Sequence, residues 1–271
     1  MAATDSTRSI ALFCDFENVA LGVRDAKFAA FDIRKVLERL LLKGNIVVKK
    51  AYCDWERYKE FKPAMHEAAF ELIEIPHVRM SGKNSADIRM VVDALDLCYT
   101  KSHVDTFVII SGDSDFSPLV SKLRENNKLV IGVGVKSSSS DLLVSNCDEF
   151  IFYDDLVREA DKSRRRKRKP APKGSGGKKS PSQTEDAKRQ EAFDLVLETV
   201  DDLFKERGDE DKVWGSMVKQ AIKRRKPGFN ESYHGFHSFG ELLEEARDNG
   251  LLELHPDEKS GGYIIRSYHR E

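Results

Sequence analysis

The feature that most constrains this chain is the regular alternation of short apolar runs with amphipathic stretches over residues 8–156. Residues 10–16 (IALFCDF) read as a buried strand. Residues 32–43 (DIRKVLERLLLK) keep helical spacing, with Asp32 as the N-cap and Gly44 as the stop. Residues 46–53 and 70–75 read as the second and third strands, and the stretch 56–69 between them as a helix that Pro63 starts or breaks. Residues 85–99 (SADIRMVVDALDLCY) predict a helix with Ile88, Val91, Val92, Leu95 and Cys98 on one inward face. A fourth strand follows at 106–111, then a helix over 117–126 with Pro118 in its first turn. A fifth strand covers 129–135, a short helix 139–147 and an edge strand 150–153. Strand and helix alternating in this way predict an α/β fold, a parallel sheet with helices on both faces and right-handed crossovers. In such sheets the functional groups lie beyond the carboxyl ends of the strands.

The rest of the chain has a different character. Residues 162–180 hold ten Lys or Arg and no acid, so this segment carries +10 while the remainder of a chain of net charge −1 carries −11. A cationic strap on an otherwise acidic protein suits a polyanionic partner. Its Pro, Gly and Ser content argues against a core, so residues 158–184 are expected to be a basic flexible linker. Regular patterning returns afterwards: amphipathic helices over 187–206, 213–223 and 238–248, the last with Ser238 and Glu241 as a reciprocal cap, then a hairpin from 251–255 and 262–266. Three helices and a hairpin describe a small winged helix over 185–271. No apolar run approaches the ~20 residues of a membrane helix, which excludes a spanning segment. The four cysteines, none in a C-x-x-C pair, read as reduced thiols of a cytoplasmic protein and make a zinc site improbable.

Chemistry concentrates in the acids. Asp15 closes the first strand in DFEN, Asp87 opens the helix in GKNSADIRM, and Asp113 and Asp115 follow the fourth strand in SGDSDFSPL. The sheet rule brings all four to one rim, with few bases among them. Carboxylates gathered without a cation repel one another, and the partner that relieves this is a hard divalent ion, Mg²⁺ or Mn²⁺. Such ions clamp phosphodiester oxygens and acidify water. Taken singly, each acid has a plainer role as a turn former or helix cap. Glu17 stands open between the side of Asp15 and an exposed turn. No phosphate-cradling G-x-x-x-x-G-K-[ST] occurs, and GVGVK at 132–136 lacks dinucleotide spacing.

DFEN, the S-A-D before an apolar helix and VIISGDSDFSPL together resemble the NYN domain over roughly residues 8–157. The resemblance implies a PIN-like Rossmannoid fold and metal-dependent RNA cleavage. It makes Asp15, Asp87 and Asp113 the core metal ligands and Asp115 a fourth, direct or through water. Asn18 then orients water or substrate, Ser111 and Ser117 hydrogen-bond ligands or a phosphate, and Lys83 and Asn84 meet the scissile phosphate. The other readings to be weighed are a non-catalytic RNA-binding adaptor that keeps the fold and a DNA-directed nuclease.

Residues 221–254, AIKRRKPGFNESYHGFHSFGELLEEARDNGLLEL, resemble the OST-HTH or LOTUS domain, the match spanning about 188–268. That resemblance implies RNA as the partner, single-stranded or structured, or a protein partner. The residues point the same way. Lys223, Arg224, Arg225 and Lys226 form a cationic helix end, with Tyr233 and His234 just beyond it, and cations beside planar rings suit phosphates and stacked bases. The C-terminal region is itself acidic, with 14 basic and 20 acidic residues over 185–271, so any RNA face is one patch.

Overall fold

A computed structural model describes residues 8–28, 30–75, 85–168, 183–207, 212–257 and 262–268. The chain divides into two compact units, Met1–Arg158 and Glu159–Glu271.

In the first unit the order is β1 (Arg8–Asp15), α1 (Phe16–Asp25), α2 (Ile33–Leu41), β2 (Gly44–Cys53), α3 (Lys62–Glu67), β3 (Glu71–Glu74), α4 (Ser85–Thr100), β4 (Thr106–Ile110), α5 (Ser117–Glu125), β5 (Leu129–Gly134), α6 (Asp141–Asn146), β6 (Glu149–Phe152) and the start of α7 (Tyr153–Arg168), a helix that runs past the boundary at Arg158. The strands form one sheet in the order β3-β2-β1-β4-β5-β6, and every neighbouring pair is parallel. This is the α/β architecture expected. Connections run outward one way through β1, β2 and β3 and the other way through β4, β5 and β6. The order therefore reverses between β1 and β4, and a crevice opens at the carboxyl ends of those two strands.

The sequence sets this arrangement through burial on both faces. Residues 10–14 of β1 are fully buried; Ile10, Leu12 and Cys14 face one core, while Ala11 and Phe13 face the other. In β4, Val108 and Ile110 join the first core and Phe107 and Ile109 the second. A continuous apolar run, rather than an alternating one, is what a central parallel strand requires. Each such side chain contributes roughly 1.5–3 kcal/mol on burial, so the two strands that carry the crevice are held firmly from both faces. Phe13 and Phe107 stack at 6.0 Å across the β1–β4 pair.

Several expectations change. β1 ends at Asp15, and Phe16 begins α1, a helix that the sequence reading did not separate from the turn after the strand. Asp32 caps α2 as expected, accepting from the Arg34 N–H at 3.1 Å, but Gly44 opens β2 rather than ending the helix. On α4 the buried face is Met90, Ala94 and Cys98; Ile88 and Val92, expected inward, are 63% and 55% exposed. The helix continues through Arg168, so residues 158–168 lie in α7 and not in a linker. Buried Tyr153 and Leu156 anchor its start. Asp154 and Asp155 occupy the first turn, where the helix dipole favours acids. No Gly or Pro interrupts the run before Pro170. The linker expected over 169–182 lies outside the described residues.

The second unit contains α8 (Gln183–Arg207), β7 (Val213–Trp214), α9 (Gly215–Arg225), α10 (Phe239–Asp248), β8 (Leu252–Pro256) and β9 (Tyr263–Tyr268). The expected hairpin is β8–β9, and β7 adds a short third strand on the other side of β9. Ala192, Val196, Val200, Val218, Ile222, Phe236 and Leu242 make its separate core. Ser238 caps α10 by accepting from the Glu241 N–H at 3.1 Å, and the Glu241 carboxylate accepts from the His237 N–H. Gly250 takes φ +73° just past the helix, a conformation that glycine adopts without strain.

Candidate functional site

Asp15 is the last residue of β1 and the N-cap of α1, 8% exposed at the crevice. Its Oδ1 accepts from the Asn18 N–H at 3.4 Å and its Oδ2 from the Ser111 hydroxyl at 3.0 Å. Ser111 follows β4 and is fully buried. Its oxygen also accepts from the Asp113 N–H at 3.2 Å. One hydroxyl thus joins the acids of two neighbouring strands, 96 residues apart in sequence for the Asp15 contact. Asn18 completes the link: its Oδ1 accepts from the Gly112 N–H at 2.9 Å, fastening α1 to the loop after β4. Asp113 caps the short 3-10 turn Ser114–Phe116 by accepting from the Asp115 N–H at 2.9 Å.

The electrostatics show that the acids share one neighbourhood. Burial, then the charge of Asp87 and more weakly that of Asp113, pushes the Asp15 carboxyl up to about 7, against the lowering effect of the bonds from Ser111 and Asn18. Asp87, in the first turn of α4, is pushed up to about 6 by burial and then by Asp113, Asp115 and Glu17. Among the described residues no Lys or Arg forms an ion pair with Asp15, Asp87, Asp113 or Asp115.

Glu17 belongs to this set. It sits in the first turn of α1 and accepts from Arg57 Nη1 at 3.3 Å and from the Tyr58 hydroxyl at 3.4 Å. Strand alternation could not place it, because β1 ends two residues earlier. Ser117, at the start of α5, is buried, and its hydroxyl has no hydrogen-bond partner. Such orphaned buried groups are uncommon and call for an explanation. Lys83 and Asn84 lie outside the described residues.

The donor chemistry is all oxygen and anionic, which fits a hard divalent cation. Among the described residues, however, no group of three His, Cys, Asp or Glu side chains is arranged to hold a metal ion. The four-acid centre expected from sequence is therefore a shared anionic neighbourhood and not a completed coordination set.

A family model for the NYN domain matches residues 9–154, more than half of the chain. This chain belongs to the NYN domain family. NYN domains are part of a nuclease superfamily and are generally ribonucleases. Among similar proteins, an uncharacterized protein of Methanocaldococcus jannaschii is 28% identical over 120 residues, 44% of this chain and 47% of that protein. Meiosis regulator and mRNA stability factor 1 of Xenopus tropicalis is 25% identical over 150 residues, 55% of this chain and 9% of that protein. The chain thus matches less than half the length of either relative. A solved structure of a protein of unknown function from Vibrio parahaemolyticus superposes with a TM-score of 0.50 at 28% identity, covering 56% of this chain and 97% of that one. The NYN match covers all six strands except Arg8, the first residue of β1, and every described acid of the crevice.

The basic patch of the second unit is only partly as expected. Arg224, Arg225 and Lys226 are exposed at the end of α9, and Lys223 is half-buried. Arg225 pairs with Asp202 at 2.6 Å. Tyr233 is half-buried, with Lys188 Nζ 4.5 Å from its ring centre. His234 departs from expectation: it is 7% exposed, its Nδ1 lies 2.8 Å from the Lys188 carbonyl and its ring stacks on Phe229 at 5.4 Å. A buried ring stacked on Phe229 and hydrogen-bonded at Nδ1 is a packing residue.

Proposed function

We propose that this protein is a Mg²⁺- or Mn²⁺-dependent endoribonuclease that hydrolyses RNA phosphodiester bonds. The observation that carries the reading is the Asp15–Ser111–Asp113 connection at the point where the strand order reverses, with Asp87 acting electrostatically on Asp15. Asp15, Asp87 and Asp113 would hold the ion, with Asp115 beside them. A divalent ion supplies charge stabilisation at phosphodiester oxygens and acidifies water. The chain does the positioning. Ser111 and Asn18 fix the Asp15 carboxylate, Asn18 and Gly112 lock α1 to the β4 loop, and the unpartnered Ser117 hydroxyl is a donor for a substrate phosphate. Lys83 and Asn84 are assigned to the scissile phosphate from sequence alone.

The second unit is assigned to RNA binding as an OST-HTH/LOTUS winged helix, through Lys223, Arg224, Arg225, Lys226 and Tyr233. The same domain is the surface for any protein partner. The name of the Xenopus tropicalis relative refers to mRNA stability, which agrees with RNA as the substrate class. The four cysteines are free and buried, in keeping with a cytoplasmic setting. Among the described residues no helix is long and apolar enough to cross a membrane.

One observation favours a second reading, a non-catalytic RNA-binding adaptor: the acids do not form a three-ligand set as they stand. Cleavage of end-labelled RNA separates the two. The ribonuclease reading expects cleavage that requires Mg²⁺ or Mn²⁺ and stops with EDTA. It expects Asp113→Asn to lose at least a hundredfold in rate while RNA binding stays within twofold. Wild-type protein that binds RNA and leaves it intact with either metal establishes the adaptor.

A further inference from the structure

The crevice that is to act on RNA is anionic. Asp15, Glu17, Asp87, Asp113 and Asp115 surround it, and among the described residues no base pairs with any of them except Arg57 with Glu17. A polyanionic substrate cannot rest on that centre alone and needs cations on either side. The turns that leave the carboxyl ends of the strands supply them in a definite pattern. Those after β1 and β4 carry the acids. The turn after β2, DWER at 54–57, carries Arg57, and the turn after β5 carries Lys136. In the strand order these are the strands immediately outside β1 and β4.

Both cations stand on tethered turns. Asp54 Oδ1 accepts from the Glu56 and Arg57 N–H groups at 3.2 and 3.4 Å. Trp55 beside them is buried; its N–H donates to Glu74 at 2.9 Å and its indole N–H to the Ile73 carbonyl at 3.1 Å. Arg57 itself is about half exposed. On the other side, the Lys136 N–H donates to Asp154 Oδ2 at 2.8 Å, and the turn closes with the Ser138 N–H on the Val135 carbonyl at 3.1 Å. The following segment is fixed to the acid loop, the Ser140 N–H donating to the Gly112 carbonyl at 2.9 Å. The Lys136 side chain is exposed, with Nζ 5.9 Å from the Phe152 ring centre.

We infer that single-stranded RNA crosses the carboxyl edge of the sheet transversely to the strands, with a backbone phosphate on Arg57 to one side of the acid crevice and another on Lys136 to the other. This rests on the ribonuclease reading and adds the path and the two positioning residues. Three inter-strand steps of about 4.8 Å separate the ends of β2 and β5, a span of about 14 Å. The scissile phosphate lies between the two cations, and both flanking phosphates belong to the same few nucleotides. The contacts are to phosphate, so they set register and affinity without reading sequence.

The test uses the full chain and a ladder of short fluorescent single-stranded RNA oligonucleotides in Mn²⁺, with KM, kcat and the KCl dependence of binding measured for each variant. Lys136→Ala and Arg57→Ala are each expected to raise KM about tenfold. Each should also lower the slope of log affinity against log salt by about one. For Lys136→Ala, kcat stays within twofold, and Lys136→Arg and Arg57→Lys restore most of the loss. Arg57→Ala also releases Glu17, so the Lys136 arm carries the kcat comparison. Melting curves establish that the variants are folded. Wild-type KM and salt slope in both folded alanine variants overturn the path. If the wild type binds the oligonucleotides without cutting them, the ribonuclease reading fails by itself. The path is then decided by affinity and salt slope alone: tenfold losses sustain it and unchanged binding rejects it.

Discussion

At the scale of the residue, the informative group is Asp15. A carboxyl raised to about 7 from an unfolded value near 3.9 prefers its protonated form in the folded protein. Between about pH 4 and 7 the folded state therefore binds more protons than the unfolded chain, and stability falls as pH rises through that window. The shift corresponds to a loss on the order of 4 kcal/mol by neutral pH. Asp15→Asn removes the ionisation and keeps the shape, so its melting temperature should decline less than that of the wild type between pH 5 and 8. Parallel declines in the two proteins would show that Asp15 is not strained by charge. A buried acid poised between its two protonation states at neutral pH is reasonable where a cation is to be bound, and has no evident benefit in a purely structural cap.

At the scale of the element, the site depends on one loop packing on another. A Cβ at Gly112 would stand 2.3 Å from the Ser138 carbonyl oxygen, a backbone atom that cannot swing aside. Gly112→Ala should force the loop after β5 away from the loop after β4. The expected cost is about 1–3 kcal/mol in urea unfolding, with cleavage reduced more than stability because Ser111 and Asp113 flank the glycine. Unchanged unfolding would mean that the two loops are not in contact. The same scale shows what the sequence made legible. The strands of the sheet could be read because β-branched runs flanked by helical spacing admit few other arrangements, and Asp15 and Asp113 followed from strand ends. Other features were not legible, for physical reasons. The apolar residues of α4 extend around most of the helix, so its period could be phased toward Ile88 and Val92 as readily as toward Met90 and Ala94. DFEN reads as a turn because Asp and Asn favour turns, so the helix that Asp15 caps, α1, does not stand out from it. The bond that joins Asp15 to Ser111 spans strands distant in sequence, and no local pattern encodes it. His234 reads as a base-stacking ring as readily as a packed one, because its burial comes from α8 and Phe229, which its neighbours do not reveal.

At the scale of the whole molecule, a net charge of −1 conceals a chain that separates its charges: acids at the crevice between β1 and β4, bases over 162–180 and at the end of α9. Two modest sites on one chain raise effective affinity without new contacts. Replacing Lys223, Arg224, Arg225 and Lys226 together with alanine should weaken RNA binding and flatten its salt dependence. Turnover of saturating short substrate should remain within about twofold. An unchanged salt slope in fluorescence anisotropy would remove these residues from the RNA surface. The central claim concerns the crevice itself, and crystals soaked in Mn²⁺ test it most directly through the anomalous signal of the ion. The account predicts a peak between the carboxylates of Asp15, Asp87 and Asp113, bonded to at least two of them directly or through water, and lost in Asp113→Asn. Saturating Mn²⁺ that leaves the space between Asp15 and Asp113 without a peak, or that binds only elsewhere, would contradict it.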